Sequence, residues 1–166
     1  MHIVYFLTYG YSLKTWQDSG NLDRELKFME YLNINFNHTF TLITYGDEDD
    51  ELIVSEYEFI KVLPAYSYIK KSSINLINYF TSLKIPFSIK KLVENFDLIQ
   101  QNQLHGSWIS ILFKLLTKKP LYTRTGYDMY LFSIFEKKKI YKRFLYYILT
   151  QITIFFTNSY LSLIHI

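Results

Sequence analysis

Cysteine is absent from the 166 residues. That excludes a disulfide framework, a thiolate nucleophile and any cysteine-ligated zinc site, and it suits a reducing cytosol. Charge imbalance is also small: 18 Lys and Arg against 15 Asp and Glu leave a formal net charge of +3. Because the acids and bases cluster locally rather than dividing between halves, the chain reads as having no nucleic-acid partner. Glycine and proline number only 5 and 3, no Pro, Gly or Ser-rich linker divides the chain, and no internal repeat is found. The opening "MHIVYFLTYGYS" lacks a basic n-region and a small-residue cleavage site, so it reads as a first strand and not a signal peptide. What remains is apolar: 49% hydrophobic and 19% aromatic residues, enough for one domain with a sizeable core.

Short β-branched and aromatic runs alternate with helical patterns. Residues 2–8, 39–45, 58–63, 96–103, 120–125 and 153–159 read as strands. From Asn21, read as an N-cap, Leu22, Leu26, Met29 and Leu32 form one helical stripe. Residues 67–82 read as a loop and then a helix ending before Pro86, 106–118 as a helix, and 129–150 as one long helix. Strands alternating with helices of ten or more residues predict an α/β fold: a mostly parallel sheet of about six strands with helices on both faces. Ligands of such sheets sit beyond the carboxyl ends of the strands, where the strand order reverses. The segments to weigh are therefore 9–21, 45–51, 104–108 and 124–128.

The first of these, "YGYSLKTWQDSGN", is no dinucleotide fingerprint, since nine residues separate Gly10 from Gly20 and Asp23 and Glu25 already occupy the positive helix end. It does offer Trp16 beside Gln17, Asp18, Ser19 and Asn21, a flat apolar face with short polar groups that suits a sugar ring; the alternative is a Trp that plugs the core. "GDEDDE" holds Asp47 and Asp49 at the spacing with which metal-dependent transferases hold a divalent cation, against the plainer reading of a solvated turn. His105 and Gly106 follow one strand, and Arg124, Gly126 and Asp128 follow the next, so one cleft is expected to receive them together with the 16–21 loop. The alternative makes His105 a helix cap, Trp108 core, and Arg124 with Asp128 a structural ion pair. Lys137, Lys138, Lys139, Lys142 and Arg143, interleaved with Phe135, Tyr141, Phe144, Tyr146 and Tyr147, suit either a solvated helix face or an anionic membrane surface. Residues 144–166 carry no Lys, Arg, Asp or Glu, yet their Thr, Gln, Asn and Ser make a poor membrane span, so a buried strand is expected there.

Together "SGNLDRE", "QLHGSW", "LYTRTGYD" and "IFFTNS" resemble the N-terminal, acceptor-side domain of group 1 (family four) GT-B glycosyltransferases, over about residues 1–160. The resemblance implies a Rossmann-like half of an enzyme whose C-terminal domain, missing from this chain, binds the nucleotide sugar. It further implies transfer with retention of configuration, no metal, no cofactor beyond the nucleotide-sugar co-substrate, and a saccharide or glycolipid acceptor in the cleft between domains. His105 resembles the cleft histidine that positions the donor sugar. Gly20 resembles the glycine loop that approaches the donor phosphates. Trp16, Asp18, Asn21, Gly106, Arg124 and Asp128 complete the expected substrate contacts. The setting implied is polysaccharide synthesis in the cytoplasm, peripheral at the inner face of the membrane. Residues 161–166, "LSLIHI", match the translation of a transposon adapter end used in sequencing libraries and are expected to be a non-native tail; on this reading the chain is a fragment without transferase activity. Two rivals are a metal-dependent transferase using Asp47 and Asp49, and a non-catalytic membrane-peripheral module.

Overall fold

The computed structural model describes residues 1–162. In chain order the elements are β1 (His2–Phe6), α1 (Leu13–Asp18), α2 (Leu22–Phe36), β2 (Thr39–Thr44), α3 (Asp49–Ile53), β3 (Ile60–Pro64), α4 (Ala65–Tyr68), α5 (Asn75–Ser82), α6 (Ile85–Lys90), β4 (Leu98–Asn102), α7 (Ser107–Thr117), β5 (Leu121–Thr125), α8 (Met129–Phe135), α9 (Ile140–Phe156) and β6 (Ser159–Ser162). The six strands form one sheet in the order β3-β2-β1-β4-β5-β6, and every pairing is parallel. This is a Rossmann-like α/β architecture, as the alternation of elements predicts.

The period-two geometry of a strand sorts its side chains between two cores. From β1, Val4 and Phe6 join Ile43, Ile99 and Phe113 on the α6–α7 face, whereas Ile3 and Tyr5, with Leu7 just beyond the strand, join Leu26, Met29, Phe40 and Leu42 on the α1–α2 face. Both faces of β1 are buried, as a central parallel strand requires. Phe113 anchors the first core, its ring 5.4 Å from Phe96 and 5.5 Å from Phe6. The stripe expected of α2 is buried at Leu22, Leu26 and Met29, with Leu32 packed against it.

Several expectations are corrected. The acidic segment 46–51 does not simply turn: it leads into α3, the crossover that lets β2 and β3 run parallel. A further helix, α6, carries Pro86 in its first turn, where its missing N–H costs nothing. The single helix expected over 129–150 breaks at 136–139, with Lys137 in the left-handed region (φ 51°). Residues 153–156, expected as strand, continue α9. "TIFFT" has strand-forming composition, but Thr150 and Thr153 hydroxyls donate back to the Tyr146 and Leu149 carbonyls (2.8 and 2.7 Å), and the Thr153 and Ser107 hydroxyls bond at 2.7 Å. Tertiary contact overrides propensity here. The last strand is β6, pairing Ser159–Ser162 with Tyr122–Thr125. It takes in Leu161 and Ser162 of the suspected tail, whose remaining residues, 163–166, lie outside the described part.

Candidate functional site

The strand order reverses between β1 and β4, so the loops that leave these two strands diverge and open a crevice at their carboxyl ends. The loops are stitched together at its base. The Thr8 hydroxyl donates to the Asn102 carbonyl (3.2 Å) and the Tyr9 N–H to the His105 carbonyl (2.9 Å). Gly106, the residue before α7, makes this approach possible. Its φ is +106°, and a Cβ there would lie 3.0 Å from Tyr9 Cβ and 3.1 Å from Tyr9 N.

On one side of the Tyr9 loop is a polar cavity of about 490 Å³ lined by Thr8, Trp16, Asn21, Glu25, Asn102, Gln103 and Arg124 among others. Trp16 is both wall and core: its side chain is nearly all buried, with its ring edge-on to Tyr5 at 6.1 Å. Asn21 lines the cavity too, but it is not the expected side-chain cap of α2, because its amide donates to the Ser19 hydroxyl (2.8 Å). The Asn102 side-chain amide makes no hydrogen bond among the described residues and borders the cavity. Gln103 (φ 68°) has its Oε1 engaged by the Gly126 N–H at 3.1 Å.

Arg124 belongs to this cavity but does not pair with Asp128. Its Nη2 lies 2.6 Å from Glu25 Oε2 and 3.1 Å from the Tyr5 hydroxyl, which itself donates to Glu25 Oε2 at 3.2 Å. Arg24 holds the other Glu25 oxygen at 3.0 Å. Burial and the neighbouring Glu25 charge push the Tyr5 hydroxyl far above its usual range, so it remains a donor. Asp128 instead caps α8, its Oδ1 accepting from Leu131 N–H at 2.9 Å. The sequence reading missed Glu25 as a buried group, although its position three after Leu22 and four before Met29 places an acid on the apolar stripe.

His105 does not line the cavity that Trp16 and Asn21 border; it lines a neighbouring one bordered by Tyr9 and Gly10, where the first is bordered by Thr8 and Tyr11. Its ring stands 5.5 Å from Tyr9, 5.2 Å from Trp108 and 6.0 Å from Tyr79, with Nε2 3.4 Å from the Tyr79 hydroxyl. Burial lowers its pKa below the ordinary 6.5, so near neutral pH the imidazole is uncharged and able to accept or donate a proton. It borders a cavity of about 310 Å³ shared with Tyr66, Lys71 and Asn75. Asp18 and Gly20 line neither cavity; Gly20 (φ +69°) closes the last turn of α1, its N–H donating to the Gln17 carbonyl at 3.1 Å.

The acidic segment has a structural task the sequence reading did not assign. Asp50 is buried, and its Oδ1 accepts from Leu13 N–H (3.0 Å) and Lys14 N–H (3.4 Å), so it caps α1 from across the fold. Gly46 makes room for this carboxylate, which a Cβ at that position would strike. Asp47 and Asp49 stay outside, with Asp47 Oδ1 accepting from Asp49 N–H at 3.3 Å. No group of three His, Cys, Asp or Glu side chains placed to hold a metal occurs among the described residues. Asp50→Ala is expected to cost about 1 kcal/mol, the usual worth of a helix cap, read as a lower urea midpoint, while Asp50→Asn, which keeps an acceptor, costs distinctly less.

No protein-family model matches the chain, and no curated protein does. Among solved structures it is similar to the crystal structure of MurG from Acinetobacter baumannii, at 12% identity and a TM-score of 0.43 over 76% of this chain. The chain spans 35% of that structure's length. A likeness of that degree concerns the course of the chain alone.

Proposed function

We propose that residues 1–160 are the acceptor-side domain of a retaining, group 1 glycosyltransferase that moves a sugar from a nucleotide-sugar donor to a saccharide or glycolipid acceptor in polysaccharide synthesis. The observation that carries this reading is the polar cavity at the β1–β4 switch point, lined by Asn21, Trp16 and Asn102, whose side-chain amide makes no hydrogen bond among the described residues. Amides flanking an aromatic wall are what a sugar's hydroxyls and its C–H face require. Support also comes from the motifs around Gly20, His105, Arg124 and Asn158 that resemble the family.

On this reading Asn21 and Asn102 hold acceptor hydroxyls, Arg124 is kept in place by Glu25, and neutral His105 orients the donor sugar. The donor itself belongs to a second domain, and no resident cofactor or metal takes part. The exposed Lys137, Lys139 and Lys142 face an anionic membrane at its cytoplasmic side. No helix among the described residues is long and apolar enough to cross a membrane, so the contact is peripheral.

The test uses the enzyme that carries both domains. Asn102→Ala is expected to raise KM for the acceptor about tenfold, the worth of one or two hydrogen bonds, with KM for the donor unchanged. The 1–166 chain alone is expected to show no transfer and no nucleotide-sugar binding tighter than about 1 mM by calorimetry. Turnover by this chain, or an Asn102 effect confined to the donor, refutes the assignment.

A further inference from the structure

The charges that line the polar cavity say more about its occupant than its shape does. Arg24, Glu25 and Arg124 line it, two guanidinium groups against one carboxylate. That carboxylate is fully engaged. Its Oε1 accepts from Arg24 at 3.0 Å, and its Oε2 accepts from Arg124 at 2.6 Å and from the Tyr5 hydroxyl at 3.2 Å. Asp18, Asp23 and Asp128 lie outside the lining. The wall is therefore net cationic, with no free carboxylate to receive the hydroxyl protons of a sugar.

Its donors, in contrast, are left over. Arg124 reaches Glu25 and Tyr5 through Nη2, while its Nη1 and Nε make no hydrogen bond among the described residues. Its side chain is only 24% exposed, and a guanidinium so shielded from water keeps a strong demand for acceptors. Gln103 adds to the excess: its Oε1 is taken by the Gly126 N–H at 3.1 Å, which leaves the Nε2 hydrogens. Asn21 supplies the complement. Its Nδ2 donates to the Ser19 hydroxyl, which leaves Oδ1 to accept from one sugar hydroxyl. Asn102, 8% exposed and without a side-chain partner among the described residues, can serve either way. A neutral saccharide would set weak hydroxyl acceptors against the Arg124 N–H groups, whereas an oxyanion engages them in charge-assisted hydrogen bonds about twice as strong.

We infer that the acceptor is an acidic sugar, one bearing a carboxylate or a phosphate, whose anionic group lies against Arg124 and Arg24 while its ring takes the Trp16 and Asn21 side of the cavity. This deepens the acceptor assignment made above and rests on it. It makes the Glu25–Arg124 pair a determinant of specificity: the acid holds the guanidinium in place through one nitrogen and leaves the others to the ligand.

The chain holds three arginines, and Arg143 does not line the cavity, so its signal is an internal reference. The isotope-labelled 1–166 chain is titrated at constant ionic strength with glucose, glucuronic acid, glucose-6-phosphate and inorganic phosphate, and the arginine Nε–H and Trp16 indole N–H signals are followed by NMR. Glucuronic acid and glucose-6-phosphate are expected to bind about tenfold more tightly than glucose, the margin of charge-assisted over neutral hydrogen bonds. They should shift Arg124 and Trp16 together and leave Arg143 in place. Tighter binding of either acid on these terms supports the inference, and the better of the two identifies the anionic group. Arg24→Gln, at a side chain 72% exposed, should weaken the acids about threefold. Glu25→Leu with Arg124→Met, which removes both charges of the buried pair together, should bring them down to the affinity of glucose. Equal affinities for glucose and both acids in the parent chain overturn the acidic class and leave the sugar cavity standing. Inorganic phosphate bound as tightly as glucose-6-phosphate, with Trp16 unmoved, means an anion site without a sugar and overturns the inference together with the acceptor assignment. The absence of any shift up to about 50 mM of each ligand does the same.

Discussion

Glu25→Ala is expected to lower stability by about 4 kcal/mol, within the range for removing one partner of a buried ion pair, and to drop the thermal midpoint by roughly 10 °C. The loss is large because the carboxylate is shared. Glu25 is 3% exposed and receives the Arg124 guanidinium, the Tyr5 hydroxyl and Arg24. Without it, a guanidinium and a phenol at the junction of α2, β1 and β5 keep their desolvation cost and lose their acceptor. Glu25→Leu combined with Arg124→Met should recover most of the stability, since removing both charges leaves no orphan. Differential scanning calorimetry of the single and double variants checks this. A double variant as unstable as Glu25→Ala would show that packing of the Glu25 side chain, and not its charge, matters.

Gly106→Ala is expected to cost about 2 kcal/mol, in the range for a non-glycine residue held in a disfavoured backbone region. At φ +106° the added methyl also meets the Tyr9 backbone, so either the Tyr9–His105 hydrogen bond lengthens or the start of α7 shifts. Both outcomes move the His105 ring relative to Tyr9 and Tyr79. The expected readout is therefore double: a thermal midpoint lower by about 6 °C, and a changed imidazole titration followed by NMR. A stability loss with an unaltered His105 signal would place the strain elsewhere.

Much of the fold is legible in the sequence because strands and amphipathic helices announce themselves by period. The β1 run and the Leu22–Met29 stripe are read directly from spacing, and the parallel sheet follows from their alternation. The failures have a common cause: each depends on a partner far along the chain. Thr153 belongs to a helix because of Ser107, Asp50 turns inward to accept from the Leu13 and Lys14 N–H groups that Ser12 leaves free at the start of α1, and Arg124 chooses Glu25, 99 residues away, over nearby Asp128. Local pattern carries no information about such meetings. The same holds for the candidate site, where position after a strand points to Trp16, Asn21 and Arg124, which line one cavity, but carries no information that His105 lines a neighbouring one.

The central place of β1 has a consequence for synthesis at the ribosome. Its first neighbour, β2, begins at Thr39, but its second, β4, begins only at Leu98. At roughly 5–20 residues per second, the β4-facing edge of this central strand waits about 5–20 s for its partner. During that interval its open N–H and C=O groups, flanked by Val4 and Phe6, are a template for any extended segment nearby. Slow decoding before residue 98 is then expected to raise aggregation of the nascent chain, whereas slow decoding after residue 102 is not.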